Sequence, residues 1–320
     1  MEMMKLQVAA VRELAEDTFE YILMEPDGGD LPEFTPGAHV DIAVPIGGMR
    51  KYSLVSDPID RSQYVLAIKR EPQGEGGSVS FIDTFKAGMI VEVSVPRTDF
   101  PLEVKAGPAI LIAGGIGITP ILCMARYLKR IGLPFELHYL TRTPEGTAYR
   151  QELLEGALAD HATIHHTYGD SSRRLDLRPL LAEPDEKVVY CCGSTELLHA
   201  VRAAAAHWPR GTVHFEDFGT TPDSHGQPGD KAFRVRLQGD EEAHLVPSGR
   251  SILEVLRDAG LDLPSSCEAG TCGACRMVLV SGTADHRDLV LFPDEYDDNI
   301  IICCSRAKTE EIVIAFPPGV

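Results

Sequence analysis

One group of cysteines constrains this chain of 320 residues more than any other feature. Cys267, Cys272 and Cys275 have the spacing C-x4-C-x2-C, and two adjacent cysteines, Cys303 and Cys304, follow downstream. The residues between the first three cysteines are mostly small, so backbone N–H groups can approach the sulfur atoms. This spacing is typical of plant-type [2Fe–2S] clusters, which need four thiolate ligands. The pattern therefore predicts an iron–sulfur site and an electron-transfer function.

A zinc site and a disulfide-bonded loop are the other interpretations of these cysteines. Zinc sites more often combine two separated pairs of ligands. Disulfides are rare in reducing compartments, and the N-terminus lacks the basic and apolar segments of a signal peptide. We therefore expect a cytoplasmic protein whose cysteines are reduced thiols or metal ligands.

The charge balance excludes some classes of partner. The chain has 48 acidic and 30 basic residues, a net charge of −18. This excess disfavours binding to nucleic-acid phosphates or to anionic membrane surfaces. No run of 18 apolar residues is present in the sequence, so we expect no transmembrane helix and no membrane partner.

The first hundred residues alternate short apolar runs with Gly, Pro and Asp turns, which predicts an antiparallel β-barrel over residues 1–104. A short helix is expected from Ser80 to Phe85. Two motifs in this region suggest a phosphate site, because a helix N-terminus and an arginine can share one phosphate. They are Arg50-Lys51-Tyr52-Ser53 and Gly76-Gly77-Ser78. Surface strand residues are the alternative interpretation of the first motif.

Residues 105–222 alternate strands with helices, which predicts a parallel, doubly wound α/β domain. An apolar strand over residues 109–113 is followed by Gly114, Gly115 and Gly117, and then by a helix with Thr119 as its N-cap. A nucleotide pyrophosphate could bind at this turn. The motif is not G-x-G-x-x-G, so a plain βα turn is the alternative. Cys192-Gly193 ends another predicted strand.

The polar segment at residues 223–230 is rich in turn-forming residues, which predicts a linker. Residues 231–320 then contain a hairpin, an amphipathic helix, the cysteine loop and two returning strands at 276–280 and 300–303. This order predicts a compact α+β module that carries the cluster.

The order of these segments resembles the phthalate dioxygenase reductase family, the reductase components of bacterial Rieske oxygenase systems. The resemblance covers nearly the whole chain and is most specific in eight segments. They are residues 114–120, 189–193, 207–209, 212–219, 251–259, 264–275, 284–288 and 304–308. The resemblance implies an α+β (β-grasp) plant-type ferredoxin fold for residues 231–320.

The resemblance implies FMN on the barrel, NADH in the middle domain and a [2Fe–2S] cluster held by Cys267, Cys272, Cys275 and Cys303. Cys303 and Cys304 are adjacent at the end of a predicted strand, so we expect one thiol to face the cysteine loop and the other to face away. It places Thr119, Cys192 and Phe218 beside the flavin and the hydride-transfer site. It places Arg50 and Ser53 toward the flavin phosphate. The remaining implied or candidate cofactor contacts are Lys51, Tyr52, Ala67, Ile68, Lys69, Gly76, Gly77, Ser78, Gly114, Gly115, Gly117, Arg142 and Gly193.

The chain departs from the family pattern at three points. Ser194 stands where proline is usual, Cys304 adds a thiol beside the fourth ligand, and the C-terminus extends to Val320. Arg142 could meet a 2′-phosphate, but it could equally cap its strand or pair with Glu145. The extended tail leaves the identity of the partner open.

The resemblance, together with these motifs, implies an NADH-dependent oxidoreductase that passes electrons from NADH through FMN and [2Fe–2S] to an oxygenase with a Rieske centre. We expect the protein to be a monomer. The cofactors would supply the redox chemistry and the protein would position them. A redox-sensing iron–sulfur flavoprotein without an oxygenase partner is one alternative. An FAD-dependent oxygenase reductase is another, although that type usually carries its ferredoxin domain at the N-terminus.

Overall fold

The structure, a computed structural model, describes residues 2–104, 107–218, 227 and 229–318. It divides into two compact units, Met1–Glu216 and Asp217–Val320. The predicted barrel and most of the predicted α/β domain lie in the first unit, which ends at Glu216, before the predicted boundary at residue 222. The predicted ferredoxin domain lies in the second unit. Of the predicted linker, residues 223–226 and 228 lie outside the described residues.

The N-terminal half of the first unit is an antiparallel sheet that closes into a barrel, as predicted. Its elements are β1 (Met3–Ala15), β2 (Thr18–Met24), β3 (Ala38–Ala43), β4 (Met49–Ser53), β5 (Tyr64–Lys69), α1 (Gly77–Thr84), β6 (Ile90–Ser94) and β7 (Arg97–Thr98). The strand order is β4-β3-β6-β1-β2-β5, with β7 paired to β3. A bridge between Leu54 and Leu66 joins the two ends of this order.

Helix α1 begins at Gly77, three residues before the predicted start at Ser80. Gly76 precedes it with a φ of 81°, a left-handed conformation that glycine adopts readily. The helix buries Phe81 in the barrel core, where its ring lies 4.9 Å from that of Tyr21. Burial of this aromatic side chain fixes the helix against the barrel.

The rest of the first unit is a parallel five-stranded sheet with helices. Its elements are β8 (Ala109–Gly114), α2 (Ile118–Ile131), β9 (Phe135–Thr141), α3 (Arg150–Glu155), β10 (Ala162–His166), α4 (Leu177–Leu180), β11 (Val188–Cys192), α5 (Thr195–Ala204) and β12 (Val213–Glu216). The order β10-β9-β8-β11-β12 confirms the parallel α/β prediction. Edge strand β10 was not predicted, because its polar sequence lacks a clear apolar run.

Helix α2 packs on β8, β9 and β11, but it begins differently from the prediction. A 3-10 turn, Gly115–Gly117, precedes the helix, and Gly117 is its N-cap. Thr119 is therefore already inside the first turn, where its hydroxyl donates to the carbonyl of Ile116 at 3.0 Å. The predicted role of Thr119 as N-cap is wrong, because the glycine turn continues directly into the helix.

The second unit is an α+β fold, as predicted. Its elements are β13 (Phe233–Leu237), β14 (Ala243–Val246), α6 (Ile252–Asp258), β15 (Arg276–Ser281), β16 (Ala284–Asp285), β17 (Asn299–Ile301), β18 (Arg306–Ala307) and β19 (Glu311–Ala315). The main sheet has the order β14-β13-β19-β15-β17, and β16 pairs with β18. The central strand β19 was not predicted, although its run of β-branched residues is a strand signal.

Strand β17 ends at Ile301, so Cys303 and Cys304 lie in a turn and not on the predicted strand. Alternation of side chains along a strand therefore does not apply to these two cysteines. Asp230, the last residue of the predicted linker, is held in the second unit by Arg287. In the described part of the chain, none of the helices is long and apolar enough to span a membrane.

Candidate functional site

The barrel brings Arg50 of β4 to the N-terminus of α1. A Cβ atom on Gly77 would lie 2.8 Å from Nε and 2.9 Å from Cγ of Arg50, so only glycine permits this approach. No side chain caps α1, and the Ser78 hydroxyl accepts from the Glu71 amide at 3.0 Å while keeping its own proton to donate. We call Arg50, Gly76, Gly77 and Ser78 the phosphate corner.

An anionic group already contacts this corner. Arg50 Nη2 lies 2.9 Å from Glu75 Oε2, and the Arg50 and Glu75 side chains are 33% and 85% exposed. An exposed carboxylate is easily displaced, because a surface ion pair contributes little. The positive charge of Arg50, the space left by the glycines and the uncapped N-terminus of α1 therefore suit the binding of a flavin phosphate.

Strand β4 places its motif residues on two faces. Arg50 and Tyr52 share one face, where Tyr52 contacts Phe81 at 5.5 Å between ring centroids. Burial raises the pKa of Tyr52 to about 12. Lys51 and Ser53 lie on the other face, where Lys51 bonds Asp99 at 3.2 Å. The pleat therefore turns Ser53 away from Arg50, and the register gives no support for Ser53 at the phosphate.

The barrel also meets the glycine turn of the α/β sheet. Strand β5 contacts the Gly115–Gly117 turn, and Ala67 belongs to the same buried cluster as Ile118. Ala67 and Ile68 are buried, whereas Lys69 is exposed at the end of β5. The predicted flavin strand and the predicted nucleotide turn thus lie side by side in one unit.

The carboxyl ends of β8 and β11 come together as predicted. Cys192 pairs with Ala113 in the parallel ladder. A Cβ on Gly117 would lie 2.2 Å from the Cys192 carbonyl oxygen, and one on Gly193 would lie 3.1 Å from the Cα of Gly114. Side chains at these positions would push the two strand ends apart. Thr119 and Cys192 are both buried at this edge.

Two predicted contacts are less defined by the fold. Arg142 directly follows β9 and is exposed, and within the described residues it forms no ion pair with Glu145. Phe218 follows β12 by two residues, belongs to the second unit and is 36% exposed. The roles of both residues stay predictions.

In the second unit, we call residues 267–275 the thiol loop. Its first two cysteines are neighbours: the Cys267 amide donates to Cys272 Sγ at 3.4 Å, and the Ala269 amide donates to Cys267 Sγ at 3.4 Å. Hydrogen bonding from the Cys272 thiol, with the loop amides, lowers the pKa of Cys267 to about 5. Such donors stabilise a thiolate, which is the form that ligates iron.

The third and fourth predicted ligands form a second pair. Hydrogen bonding to the Cys303 thiol, together with burial, raises the pKa of Cys275. Both residues are buried. Two facing pairs of thiols, with amides directed at sulfur, fit a cluster of two irons that takes two thiolates per iron.

Cys304 does not face away from the thiol loop. It is buried, and a Cβ on Gly270 would lie 2.6 Å from Cys304 Sγ. Its sulfur therefore packs against the loop from the turn after β17. The geometry places Cys303 beside Cys275 and Cys304 beside Gly270, which supports Cys303 as the ligand, although this assignment stays a prediction.

Among the described residues, no group of three or more His, Cys, Asp or Glu side chains is arranged to hold one metal ion. All eight cysteines are free thiols.

Comparisons with known proteins agree with this geometry. Residues 235–308 match the family model of the 2Fe-2S iron-sulfur cluster binding domain. Phthalate dioxygenase reductase of Burkholderia cepacia is 47% identical over 314 residues, 97% of each chain. The chain belongs to the phthalate dioxygenase reductase family. The reductase subunit of phthalate 4,5-dioxygenase from Pseudomonas putida is 45% identical, over 97% of this chain and 95% of its own.

A solved structure of phthalate dioxygenase reductase covers 98% of this chain and is itself covered to 98%, with a TM-score of 0.69 and 45% identity. Its title describes a modular structure for electron transfer from pyridine nucleotides to [2Fe-2S]. The full-length CYP116B46 of Tepidiphilus thermophilus matches 98% of this chain over 42% of its own length, with a TM-score of 0.75. The chain is thus an oxidoreductase of a family of oxygenase reductase components, with an iron–sulfur domain at its C-terminus.

Sequence reasoning missed one feature near the thiol loop. The sequence of residues 284–288 indicates only a match to the family pattern, whereas the structure buries the side chains of His286 and Asp288 there. A histidine and an aspartate two residues apart are a weak signal without knowledge of what surrounds them.

Proposed function

We propose that this member of the phthalate dioxygenase reductase family passes electrons from NADH through FMN to a [2Fe–2S] cluster and on to an oxygenase with a Rieske centre. The observation that carries the proposal is the contact between β5 of the barrel and the Gly115–Gly117 turn. This contact puts the flavin strand next to the carboxyl edge of the parallel sheet, where nucleotides bind in such folds.

When bound, the cofactors supply hydride acceptance and one-electron transfer, and the chain supplies their positions. Arg50 and the first amides of α1 bind the flavin phosphate. Gly117 and Gly193 let the backbone of the two strand ends approach closely, and Thr119 and Cys192 line this edge. The amides of Cys267 and Ala269 donate to the sulfur atoms of Cys272 and Cys267, which holds this side of the thiol loop in place for the cluster.

An anaerobic titration with NADH tests the proposal. The purified protein should show flavin bleaching followed by loss of the iron–sulfur absorption bands, and it should reduce ferricyanide and cytochrome c in the steady state. Release and chromatography of the flavin should give FMN. Bound FAD would overturn the FMN assignment. A cluster that NADH does not reduce would favour the redox-sensing alternative.

Preference for NADH over NADPH is part of the proposal. Arg142 is the residue that could reverse it, because its exposed guanidinium follows β9 at the nucleotide edge of the sheet. Comparison of kcat/KM for the two cofactors measures the preference. A clear preference for NADPH that Arg142→Ala removes would make Arg142 a 2′-phosphate contact.

The partner, oligomeric state and location are also proposed. Relatives named as reductase subunits of oxygenase systems support an oxygenase partner. The Rieske centre, the monomeric state and the cytoplasmic location rest on the sequence analysis. Electron transfer to purified Rieske oxygenases, measured as cluster reduction in the partner, tests the first of these points, and size-exclusion chromatography with light scattering tests the second.

A further inference from the structure

A buried histidine–aspartate pair lies behind the thiol loop. The side chains of His286 and Asp288 are 10% and 0% exposed. The Leu289 amide donates to the Gly270 carbonyl at 3.0 Å, and a Cβ on Gly270 would lie 3.2 Å from the Cα of Asp288. The pair therefore sits within one side-chain length of the loop that carries Cys267 and Cys272.

The hydrogen bonds of the His286–Asp288 pair determine the position of one proton on the imidazole. His286 Nε2 lies 3.0 Å from the carbonyl oxygen of Tyr296, and a carbonyl only accepts, so Nε2 carries a hydrogen. Asp288 Oδ1 accepts from the amides of Val290 and Leu291 at 3.0 and 2.6 Å. His286 Nδ1 and Asp288 Oδ2 are left facing each other at 3.8 Å.

These two atoms make no hydrogen bond to any other described residue. If both were unprotonated, two lone pairs would face each other in a buried site. Burial of polar atoms without a partner is unfavourable. A proton on Nδ1 turns the contact into an ion pair, and stacking on Tyr296, with ring centroids 4.2 Å apart, holds the imidazole in place.

We propose that His286 is protonated on Nδ1 and neutralises Asp288, so that the pair carries no net charge behind the thiol loop. The proposal rests on the proposed iron–sulfur function. An electron added to a thiolate-bound cluster is opposed by nearby negative charge. His286 thus acts as a positioning residue that keeps the cluster reducible by cancelling the charge of Asp288.

The other charges of this segment are already balanced. Arg287 donates to Asp285 at 2.7 Å and to Asp230 at 2.6 Å. Arg306 contacts Asp230 at 3.4 Å and donates to the carbonyls of Arg250 and Pro247. Tyr296 is the other titratable group packed on the imidazole.

Two variants with opposite consequences test the proposal through the midpoint potential of the cluster in the full-length protein. His286→Gln leaves the Asp288 carboxylate unbalanced, so the equilibrium constant for reduction should fall about tenfold, which is 59 mV for one electron. Asp288→Asn removes the negative charge of the carboxylate, so a proton on His286 Nδ1 is no longer needed to balance it. Its equilibrium constant should therefore stay within about twofold of the wild-type value.

The reverse pattern would overturn the proposal. If His286 is neutral, His286→Gln should leave the potential unchanged and Asp288→Asn should raise it. Equal shifts in both variants, or none, would show a structural role only. Absence of iron–sulfur absorption from the wild-type protein would instead refute the proposed function.

A measurement on the wild-type protein covers the case in which the variants do not fold. In the oxidised full-length protein with 15N-labelled histidine, both ring nitrogens of His286 should have the shifts of protonated nitrogens. An unprotonated Nδ1 at neutral pH would overturn the proposal.

Discussion

The phosphate corner of the first unit and the thiol loop of the second unit both depend on glycine, but in different surroundings. Gly77 gives room to Arg50, an exposed side chain at the surface of the barrel. Gly270 has a φ of 77° and gives room to the buried sulfur of Cys304 and the backbone of Asp288. The corner is an open contact on a barrel with its own core, whereas the loop is partly exposed and packs into the interior of its unit at Gly270 and Cys275. Substitutions at the phosphate corner should therefore weaken flavin binding, whereas substitutions in the thiol loop should destabilise the second unit.

The largest effect should separate the two adjacent cysteines. Cys303→Ala should abolish the cluster, because Cys303 contacts Cys275 and three thiolates leave one iron incompletely ligated. Cys304→Ala should keep the cluster, because this sulfur packs against Gly270 and contacts the Ile301 carbonyl and the Ser305 hydroxyl, and Cys303 is the thiol beside Cys275. Visible absorption and the EPR signal of the reduced protein measure both outcomes. Retention of a cluster by Cys303→Ala and its loss from Cys304→Ala would exchange the two roles.

The next largest effect tests the packing of the loop. Gly270→Ala should destabilise the second unit by about 2–5 kcal/mol, through a left-handed backbone and an overpacked contact with Cys304. Gly249→Ala is the control, because a Cβ there meets no atom within 4 Å. Thermal unfolding and iron content report the change. Equal stability of the two variants would show that the loop tolerates a side chain at Gly270.

At the phosphate corner, Arg50→Ala should weaken FMN binding by about 1.5–3 kcal/mol, roughly 10- to 150-fold in Kd, without unfolding the barrel. Glu75→Gln should tighten FMN binding, because it removes the carboxylate that contacts Arg50. Arg178→Ala, at an exposed arginine of the same unit, is the control. Flavin retention after dialysis and fluorescence titration measure the effect. Full retention by Arg50→Ala would remove Arg50 from the phosphate site.

The smallest effect concerns the start of the second unit. The side-chain hydrogen bonds from Arg287 lower the pKa of Asp230 to about 2, from an ordinary value of 3.8. A carboxyl whose pKa is lower in the folded state adds stability above its unfolded pKa and loses it as the pH falls through its folded pKa. Asp230→Asn should therefore lower the melting temperature at pH 7 by a few degrees, about 1 kcal/mol.

The difference between wild type and Asp230→Asn should shrink as the pH falls from about 4 to about 2, because the wild-type carboxyl is then protonated. Calorimetry of both proteins at each pH measures it. A difference that stays constant across this range would show that the ionised form of Asp230 is not what stabilises the unit.

Much of the fold could be predicted from local patterns. Apolar runs separated by turns predicted the barrel, and alternating strands and helices predicted the parallel sheet. The capping box of Ser251 and Glu254, in which each side chain bonds the other residue's amide, starts α6 where the sequence predicted a helix. The missed strands β10 and β19 show the limit, because a short strand is stabilised by its neighbours as much as by its own sequence.

The sequence by itself determined the chemistry of the thiol loop, because three soft ligands at fixed spacing on small residues suit few other sites. It also determined that glycine turns follow the strands of the α/β sheet. Only the tertiary structure decided which way Ser53 faces, that Cys304 packs on Gly270, and that His286 and Asp288 share a buried site. These features depend on where distant segments meet, and local periodicity carries no information about such contacts.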